Sequence, residues 1–588
     1  MSEARSSIRK VLMGEESPSI VIKNGTLINV MTREMQPDTD VAIVDDRIAF
    51  VGNATELIGE NTKVIDAEGK FIAPGLMDGH MHVESTMLSV TEFANAALLK
   101  GTTSVFMDPH EIANVLGAEG VRLMHEEGRQ LPLKVFTTFP SCVPATSDLE
   151  DAGAVLDVND IEAGLEWDGV VGLGEVMNFP GVVYDDPKMI GEIEATIRAR
   201  KTVTGHFPEG SDKMLQSYIA SGVDSCHETI SREQGLEKAR LGMHIMIREG
   251  SAWHDVKEVI KIITEDGIDP TNVSLVTDDV YPQTLVDKGQ LNHVIRRAIE
   301  EGVDPLTAIQ MGTINVARYF HMDKELGSIT PGKIADIILL EDLEKVEAKT
   351  VITNGEVVVH NKKIVIHMPK YNYPQFALET VKLKRPLTAG DFLFTTSVDN
   401  TVDINGIKVI ENSARTEKMT ATLHVADGVI QPDLEKDIIR LACIDRHHRS
   451  GQISLAFAQG FQIKTGAVAS TVAHDSHNLL VMGINPEDMS IAANTLAESG
   501  GGMVVVNNGK VLAKVPMPIA GLMSDQPLET VVKQVQQLEK AWQEIGCTLH
   551  APFMTFSLIA LPVIPEVRIS NRGLVDVTTF ELIDVVKG

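Results

Sequence analysis

The segment FIAPGLMDGHMH, residues 71–82, decides how the rest of the chain is interpreted. It is an apolar run that ends in His80 and His82. Side chains two positions apart on a strand point to the same face of the sheet. Two imidazoles held in this way can bind a transition metal from one side and leave its other side open. Satisfied core histidines are the alternative, but the strand-end position favours metal binding.

Apolar runs of the same kind recur downstream, separated by segments with helical periodicity. The runs lie at residues 102–107, 169–174, 202–205 and 273–277, and the helical patterns include residues 192–200 and 291–301. Repeated strand–helix units over residues 76–325 predict an α/β fold, a (β/α)8 TIM-like barrel. The chemistry of such a barrel takes place at the carboxyl-terminal ends of its strands.

Four further ligand-type residues stand where apolar runs end, namely Glu175, His206, His227 and Asp278. Each is a weak signal alone, because histidine and aspartate also cap helices and make loop hydrogen bonds. Together they predict a metal centre at one rim of the barrel. A buried Glu175 needs cations to offset its desolvation, and two bridged metal ions would supply them. Asp278 could bind metal and shuttle the proton of an attacking water.

Two polar segments each have both a structural and a functional interpretation. His110-Glu111 follows an apolar run and either starts a helix or takes part in catalysis. The segment HDSHN, residues 474–478, is either a polar turn after a strand or a part of the active site that closes the barrel mouth, contacts substrate or binds an ion.

The segments that flank the barrel carry short strand patterns. Residues 19–75 include an Asn24-Gly25 turn signal, and VITNGEVV at residues 351–358 repeats the pattern. A domain inserted between two halves of a sheet would produce this repeat. We therefore predict a small β-sandwich built from two separated segments, residues 1–75 and 326–380.

The remainder, residues 381–588, does not continue the alternation of strand and helix patterns seen in the barrel. A strand pattern at residues 453–459 and a strong helical pattern at residues 528–545 predict a separate C-terminal α+β domain. No low-complexity linker precedes it, so we expect it to dock firmly on the barrel.

Composition and charge narrow the possible partners. The chain has 588 residues and 52 basic against 82 acidic side chains, a formal net charge of −30. Such a surface repels phosphate backbones and anionic membranes, so we expect no nucleic-acid and no membrane partner, whereas a small neutral substrate is not repelled. The 4 cysteines lie far apart and residues 1–18 lack an apolar signal core, so a reducing compartment, the cytoplasm, is expected.

Several motifs spread along the chain carry a resemblance to a known family. They are residues 73–82 (APGLMDGHMH), 82–87 (HVESTM), 108–115 (DPHEIANV), 141–145 (SCVPA), 244–251 (HIMIREGS), 327–340 (GSITPGKIADIILL) and 472–478 (VAHDSHN). The first and sixth resemble the amidohydrolase superfamily, and the others resemble the adenine deaminase family within it.

The resemblance implies hydrolysis of adenine to hypoxanthine and ammonia, in purine salvage or catabolism, on a centre of two divalent metal ions. Manganese is expected, with iron or zinc as alternatives. Six ligands are implied, namely His80, His82, Glu175, His206, His227 and Asp278. The first two histidines would hold one ion with the aspartate, the other two would hold the second ion, and the glutamate would bridge both.

The mechanism that follows is a hypothesis. A metal-bound hydroxide would attack C6 of adenine, and Asp278 would take its proton and deliver it to the departing amine. Glu111 is the candidate for protonating N1. The resemblance, together with the frequency of two-fold symmetry, also leads us to expect a homodimer.

Two alternatives stay open at this point. One is a different amidohydrolase that acts on another purine or on a cyclic amide. Many such hydrolases of cyclic amides carry a carboxylated lysine where this chain has Glu175, which counts against that alternative. The other is a non-enzymatic oligomer that lost its metals, and the presence of ligand-type residues at all six positions disfavours it.

Overall fold

The computed structural model of the chain describes residues 2–146, 148–411 and 413–587, and side chains from Arg5 onward. The strands in chain order are β1 Ile20–Lys23, β2 Thr26–Asn29, β3 Glu34–Gln36, β4 Asp40–Val44, β5 Arg47–Gly52, β6 Lys63–Asp66, β7 Phe71–Pro74, β8 Leu76–His82, β9 Thr102–Met107, β10 Lys134–Phe139, β11 Val170–Val176, β12 Thr202–Gly205, β13 Ser225–Cys226, β14 His244–Arg248, β15 Val273–Val276, β16 Asp278–Asp279, β17 Ile337–Leu340, β18 Ala348–Thr353, β19 Glu356–His360, β20 Lys363–Ile364, β21 Thr401–Val409, β22 Thr416–Ala426, β23 Val429–Ile430, β24 Ile438–Ile444, β25 Ile453–Gln459, β26 Ala467–Ser470, β27 Leu479–Gly483, β28 Gly502–Asn507, β29 Lys510–Pro516, β30 Val567–Ser570, β31 Gly573–Asp576 and β32 Glu581–Ile583.

The helices in chain order are α1 Ser2–Leu12, α2 Val90–Leu99, α3 His110–Arg129, α4 Val158–Leu165, α5 Phe179–Val183, α6 Pro187–Arg198, α7 Asp212–Ala220, α8 Arg232–Arg240, α9 Val256–Val259, α10 Lys261–Thr264, α11 Pro282–Asp287, α12 Leu291–Glu300, α13 Pro305–Met311, α14 Ile314–Tyr319, α15 Gln375–Leu378, α16 Pro486–Glu498, α17 Leu528–Glu544 and α18 Pro552–Leu558. None of the helices in the described part of the chain is long and apolar enough to cross a membrane.

The strands from β8 to β16 form the predicted parallel barrel. Parallel ladders join β8 to β9, β9 to β10, β10 to β11 and β11 to β12, and a second run joins β13, β14 and β15. The backbone N–H of Asp224 donates to the carbonyl of Val203 at 3.2 Å, which links the two runs. The sheet closes because β16, directly after β15, pairs in parallel with β8. Each residue of β8 is buried, as expected for a strand covered on both faces.

The small domain is a pair of sheets assembled from two distant segments. One sheet has the order β5-β4-β1-β6, and the other has the order β20-β19-β18-β17-β7-β2-β3. In the second sheet β17 runs antiparallel to β7, so the return segment completes the sheet that the N-terminal segment begins. Apolar side chains from both segments, including Ile22, Ile43, Ile72 and Ile337, form one buried core.

The two Asn-Gly turns play different roles. Asn354-Gly355 joins β18 to β19 as an antiparallel hairpin. Asn24-Gly25 instead carries the chain from one sheet to the other, so the hairpin that its turn signal favours does not form. A Cβ on residue 25 would lie 2.6 Å from the Ile72 side chain, which explains why a glycine occupies this crossing.

The C-terminal domain is built on a separate nine-stranded sheet in the described residues, in the order β23-β22-β21-β25-β24-β27-β26-β28-β29. Helix α16 covers one face of it, and α17 packs against β29 and the barrel helices α2 and α11. The Ser524 N–H also donates to the Met87 carbonyl at 2.8 Å. The domain therefore docks directly beside the barrel mouth.

The buried carboxyl of Glu192 in α6 makes the stability of the protein depend on pH. Burial raises the pKa of Glu192 to about 8, and the Lys188 ammonium at 3.6 Å only partly offsets this. The unfolded chain ionises near pH 4.3, so the folded state holds the extra proton between the two values and loses stability as pH rises through that window. We expect Glu192→Gln to raise the free energy of unfolding at pH 8.5 by an amount on the order of a few kcal/mol, and the thermal midpoint with it, and to change both little at pH 4.5.

The matched control is Glu194→Gln, which changes an exposed carboxylate on the same helix. Thermal unfolding of both variants and the parent at the two pH values is the measurement. Equal midpoints for Glu192→Gln and the parent at pH 8.5 would contradict the prediction.

Candidate metal centre and active site

All six predicted ligands lie at the carboxyl-terminal rim of the barrel. They are His80 and His82 at the end of β8, Glu175 in β11, His206 after β12, His227 after β13 and Asp278 in β16. Residues two hundred positions apart meet here because parallel strands bring their carboxyl ends to one edge. Five of the six are almost fully buried, and His206 is partly exposed.

Glu175 lies at the centre of the group. Its Oε2 atom is 2.5 Å from His206 Nδ1 and 3.1 Å from His227 Nε2, and its Oε1 atom is 3.3 Å from His82 Nε2. The carboxylate therefore faces histidines of three different strands. This arrangement is suited to bridging two cations.

Asp278 faces the pair at the end of β8. Its Oδ1 atom is 3.4 Å from His80 Nε2 and 3.3 Å from His82 Nε2. Its other oxygen accepts from Arg248 Nη1 at 2.9 Å. The backbone of Asp278 has φ of 61°, a left-handed conformation that aspartate and asparagine adopt more readily than most residues. Asp278 lies two residues after the end of β15, and its carboxylate faces the two histidines of β8.

The electrostatics of the cluster follow from burial and mutual contact. Burial alone would raise the pKa of Glu175, but His227 and His206 hold it well below its ordinary value. Burial and the neighbouring His80 lower the pKa of His227 to about 4. Burial opposes a charge on His206, yet the carboxylates of Glu228 and Glu175 raise its pKa to about 9. The carboxylates therefore stay ionised and can bind cations.

The imidazole nitrogens and carboxylate oxygens of these six residues are suited to binding divalent metal ions. His80 Nε2 is buried and has no hydrogen-bond partner among the described residues, so it has a free nitrogen directed at the cluster. The other ring nitrogen of His82, Nδ1, lies 2.9 Å from the Asp108 carbonyl and must carry the proton, which leaves the lone pair of Nε2 for a ligand. Imidazole and carboxylate together bind manganese, iron and zinc. Two groups within this set, His80–His82–Asp278 and His80–Glu175–His227, bring their ligand atoms within 4.8 Å of one another.

The structure brings further residues to this centre that the ligand prediction did not include, among them His110 and Arg248. His110 Nδ1 lies 3.5 Å from Glu175 Oε1, and the His110 ring stands edge-on to His82. Arg248 pairs with Asp278, Glu228 and Asp255. The sequence did contain a signal for Arg248, because an arginine at the end of an apolar strand is unusual and β14 ends at this residue.

Glu111, the candidate acid, lies beside the metal cluster rather than within it. Ser85 Oγ lies 3.2 Å from Glu111 Oε1 and makes a closer hydrogen bond to Asp279. Two further neighbours of Glu111 come from the C-terminal domain, because His474 Nδ1 and His477 Nε2 each lie 3.8 Å from one of its oxygens. The 474–478 segment thus lies against Glu111 of the barrel.

Comparison with known proteins agrees with this architecture. Residues 71–358 match the model of the Amidohydrolase family, and residues 413–581 match that of the adenine deaminase C-terminal domain. The fold and its rim of histidines and carboxylates thus define an amidohydrolase, a class that uses a divalent metal.

Curated relatives cover the whole chain. An adenine deaminase of Moorella thermoacetica is 49% identical over 100% of this chain and 99% of its own length, and one of Clostridium botulinum is 50% identical over 99% and 98%. A β-aspartyl dipeptidase structure from Fervidobacterium islandicum AW-1 is 19% identical, with a TM-score of 0.46 over 61% of this chain and 99% of its own. The chain belongs to the adenine deaminase family.

Proposed function

We propose that this protein hydrolyses adenine to hypoxanthine and ammonia. The observation that carries the proposal is the convergence of six ligand-type side chains on one barrel rim, in a chain about half identical to adenine deaminases along its full length. The formal net charge of −30 is compatible with a small neutral base as substrate. We further propose domains at residues 1–75 with 326–380, 76–325 and 381–588, and a homodimer, which light scattering on the purified protein would test.

The proposed cofactor is a pair of divalent ions, with manganese the expected metal. His80, His82 and Asp278 would hold one ion, His206 and His227 would hold the other, and Glu175 would bridge them. When bound, such ions lower the pKa of a coordinated water and so make it a nucleophile near neutral pH. His110 lies close enough to Glu175 to restrain the bridging carboxylate.

Asp278 is the proposed proton shuttle of the reaction. Its carboxylate takes the proton of the attacking water and passes it to the exocyclic nitrogen of adenine, which leaves as ammonia. Burial opposes ionisation of Asp278, but the nearby imidazoles of His80 and His82 and the charge of Arg248 hold its pKa well below the ordinary value. Arg248 also fixes the orientation of the carboxylate, because it binds the oxygen that the two histidines do not face.

Glu111 is the proposed acid for the ring. As C6 becomes tetrahedral, negative charge develops on N1, and a carboxyl group in reach neutralises it. Glu111 is buried and its oxygens face Ser85, His474 and His477. These polar neighbours offset the cost of burying the carboxyl group.

A substrate panel on purified, manganese-loaded protein tests the proposed function. We expect ammonia release from adenine with a kcat/KM at least about 100-fold above that for guanine or adenosine, and no ring opening of hydantoin. Metal analysis of the same sample should give two ions per chain. Faster turnover of another purine or of the cyclic amide would show that adenine is not the preferred substrate.

A further inference from the structure

The C-terminal domain places a short polar segment over the barrel mouth. This segment, residues 473–478, links β26 to β27 and is buried throughout. His474 and His477 face Glu111 on α3 of the barrel, and Asp475 Oδ1 lies 3.8 Å from His110 Nε2. The barrel residues of the site therefore have side chains of another domain as their neighbours.

Hydrogen bonds from three directions hold this segment in place. The fully buried Arg446 donates to the His477 carbonyl and to Thr380 Oγ1, and His447 Nε2 donates to the Ser476 carbonyl at 2.8 Å. Asn478 Nδ2 donates to the carbonyl of Asp151, on the barrel side, at 2.9 Å. A segment restrained in this way can orient another side chain at little entropic cost.

The hydrogen bonds of His477 determine which of its ring nitrogens carries a proton. The backbone N–H of Ala473 donates to His477 Nδ1 at 3.1 Å, so Nδ1 holds no proton. Burial, reinforced by the charge of His474, lowers the pKa of His477 well below its ordinary value, so the ring is neutral and its proton is on Nε2. That N–H is buried, finds no partner closer than 3.5 Å in the described residues, and faces Glu111 Oε2 at 3.8 Å.

The tautomer of His477 decides between two roles for the cluster of Glu111, His474 and His477. Glu111, His474 and His477 bring ligand atoms within 4.8 Å of one another, which is also the spacing of a metal site. A metal ligand needs a lone pair on the coordinating nitrogen, and Nε2 of His477 has none while Nδ1 accepts from Ala473. The geometry therefore supports His477 as a hydrogen-bond donor to the carboxyl group of Glu111. Catalytic hydrogen bonds are often long in a substrate-free enzyme and shorten in the complex.

We infer that the C-terminal domain positions the proposed acid Glu111 through the Nε2–H of His477, with His474 as a second contact, so that the domain completes the active site of the barrel. His477 is thus a positioning residue that acts through Glu111. The inference rests on the proposed function, because it concerns the acid of that reaction.

The test compares kcat and KM for adenine in single and double variants of the manganese-loaded enzyme. We expect His477→Leu to lower kcat about 10- to 100-fold, to change KM less than about threefold and to retain the metal content of the parent. His477→Gln, which keeps an N–H donor at a similar distance from the backbone, should recover most of the loss. When His477→Leu is added to a Glu111→Gln enzyme, we expect kcat to fall by less than about a further twofold, because the two residues act as one unit.

His448→Gln is the matched control, since it changes an exposed histidine of the same domain. An unchanged kcat in His477→Leu, an equal loss in the Glu111→Gln background, or a metal content one ion lower would each overturn the inference. Should His477→Leu fail to fold, as its thermal midpoint would reveal, His474→Gln takes its place in the same cycle. A parent enzyme that releases no ammonia from adenine refutes the proposed function instead, which keeps the two failures apart.

Discussion

Replacing Asp278 with asparagine is expected to lower kcat for adenine by about three orders of magnitude or more, with adenine binding largely retained. An amide cannot accept the proton of the attacking water, and losing a general base of this kind costs up to about 10⁴-fold. Asparagine is the appropriate replacement because position 278 has φ of 61°, where asparagine is tolerated, and because it keeps the shape of the side chain. Steady-state ammonia release and equilibrium adenine binding are the two measurements.

The control for Asp278→Asn is Asp287→Asn, which makes the same change at an exposed position of α11. Metal analysis accompanies both variants, because Asp278 is also a proposed ligand. An Asp278→Asn enzyme that holds its metals and turns over adenine at the parental rate would remove Asp278 as the proton shuttle.

Glu175→Ala is expected to abolish activity by preventing assembly of the metal centre. The substitution removes the carboxylate that faces His82, His206 and His227, and without it two cations would repel each other at short range with no bridging charge. We expect metal content to fall from two ions per chain to one or fewer, and kcat/KM to fall at least about 10³-fold. Metal analysis after dialysis and ammonia release are the measurements.

Glu162→Ala serves as the control for this variant, because it truncates an exposed glutamate of the same barrel. Retention of two ions by Glu175→Ala would rule out the bridge. Stripping the parent enzyme with a chelator and restoring manganese provides an independent check, since activity should disappear and return with the metal.

Much of the barrel could be predicted from the sequence, because the local sequence pattern and the final fold agree there. The apolar runs at residues 102–107 and 202–205 form β9 and β12, and the helical pattern at residues 291–301 forms α12 Leu291–Glu300. Strands buried on both faces must be apolar along their whole length, so they stand out in a polar chain. The turn at Asn24-Gly25 shows where this agreement stops, because a turn signal does not determine which sheet the next strand joins.

The sequence by itself determined that strands and helices alternate through the barrel and which residue types stand at the strand ends, because local periodicity and side-chain chemistry encode both. Only the tertiary structure decided which of these residues meet. It brought His110 to Glu175, Arg248 to Asp278 and His477 of another domain to Glu111. Such contacts depend on closure of the barrel and on docking of the C-terminal domain, and no short segment of sequence encodes the distance between residues that lie hundreds of positions apart.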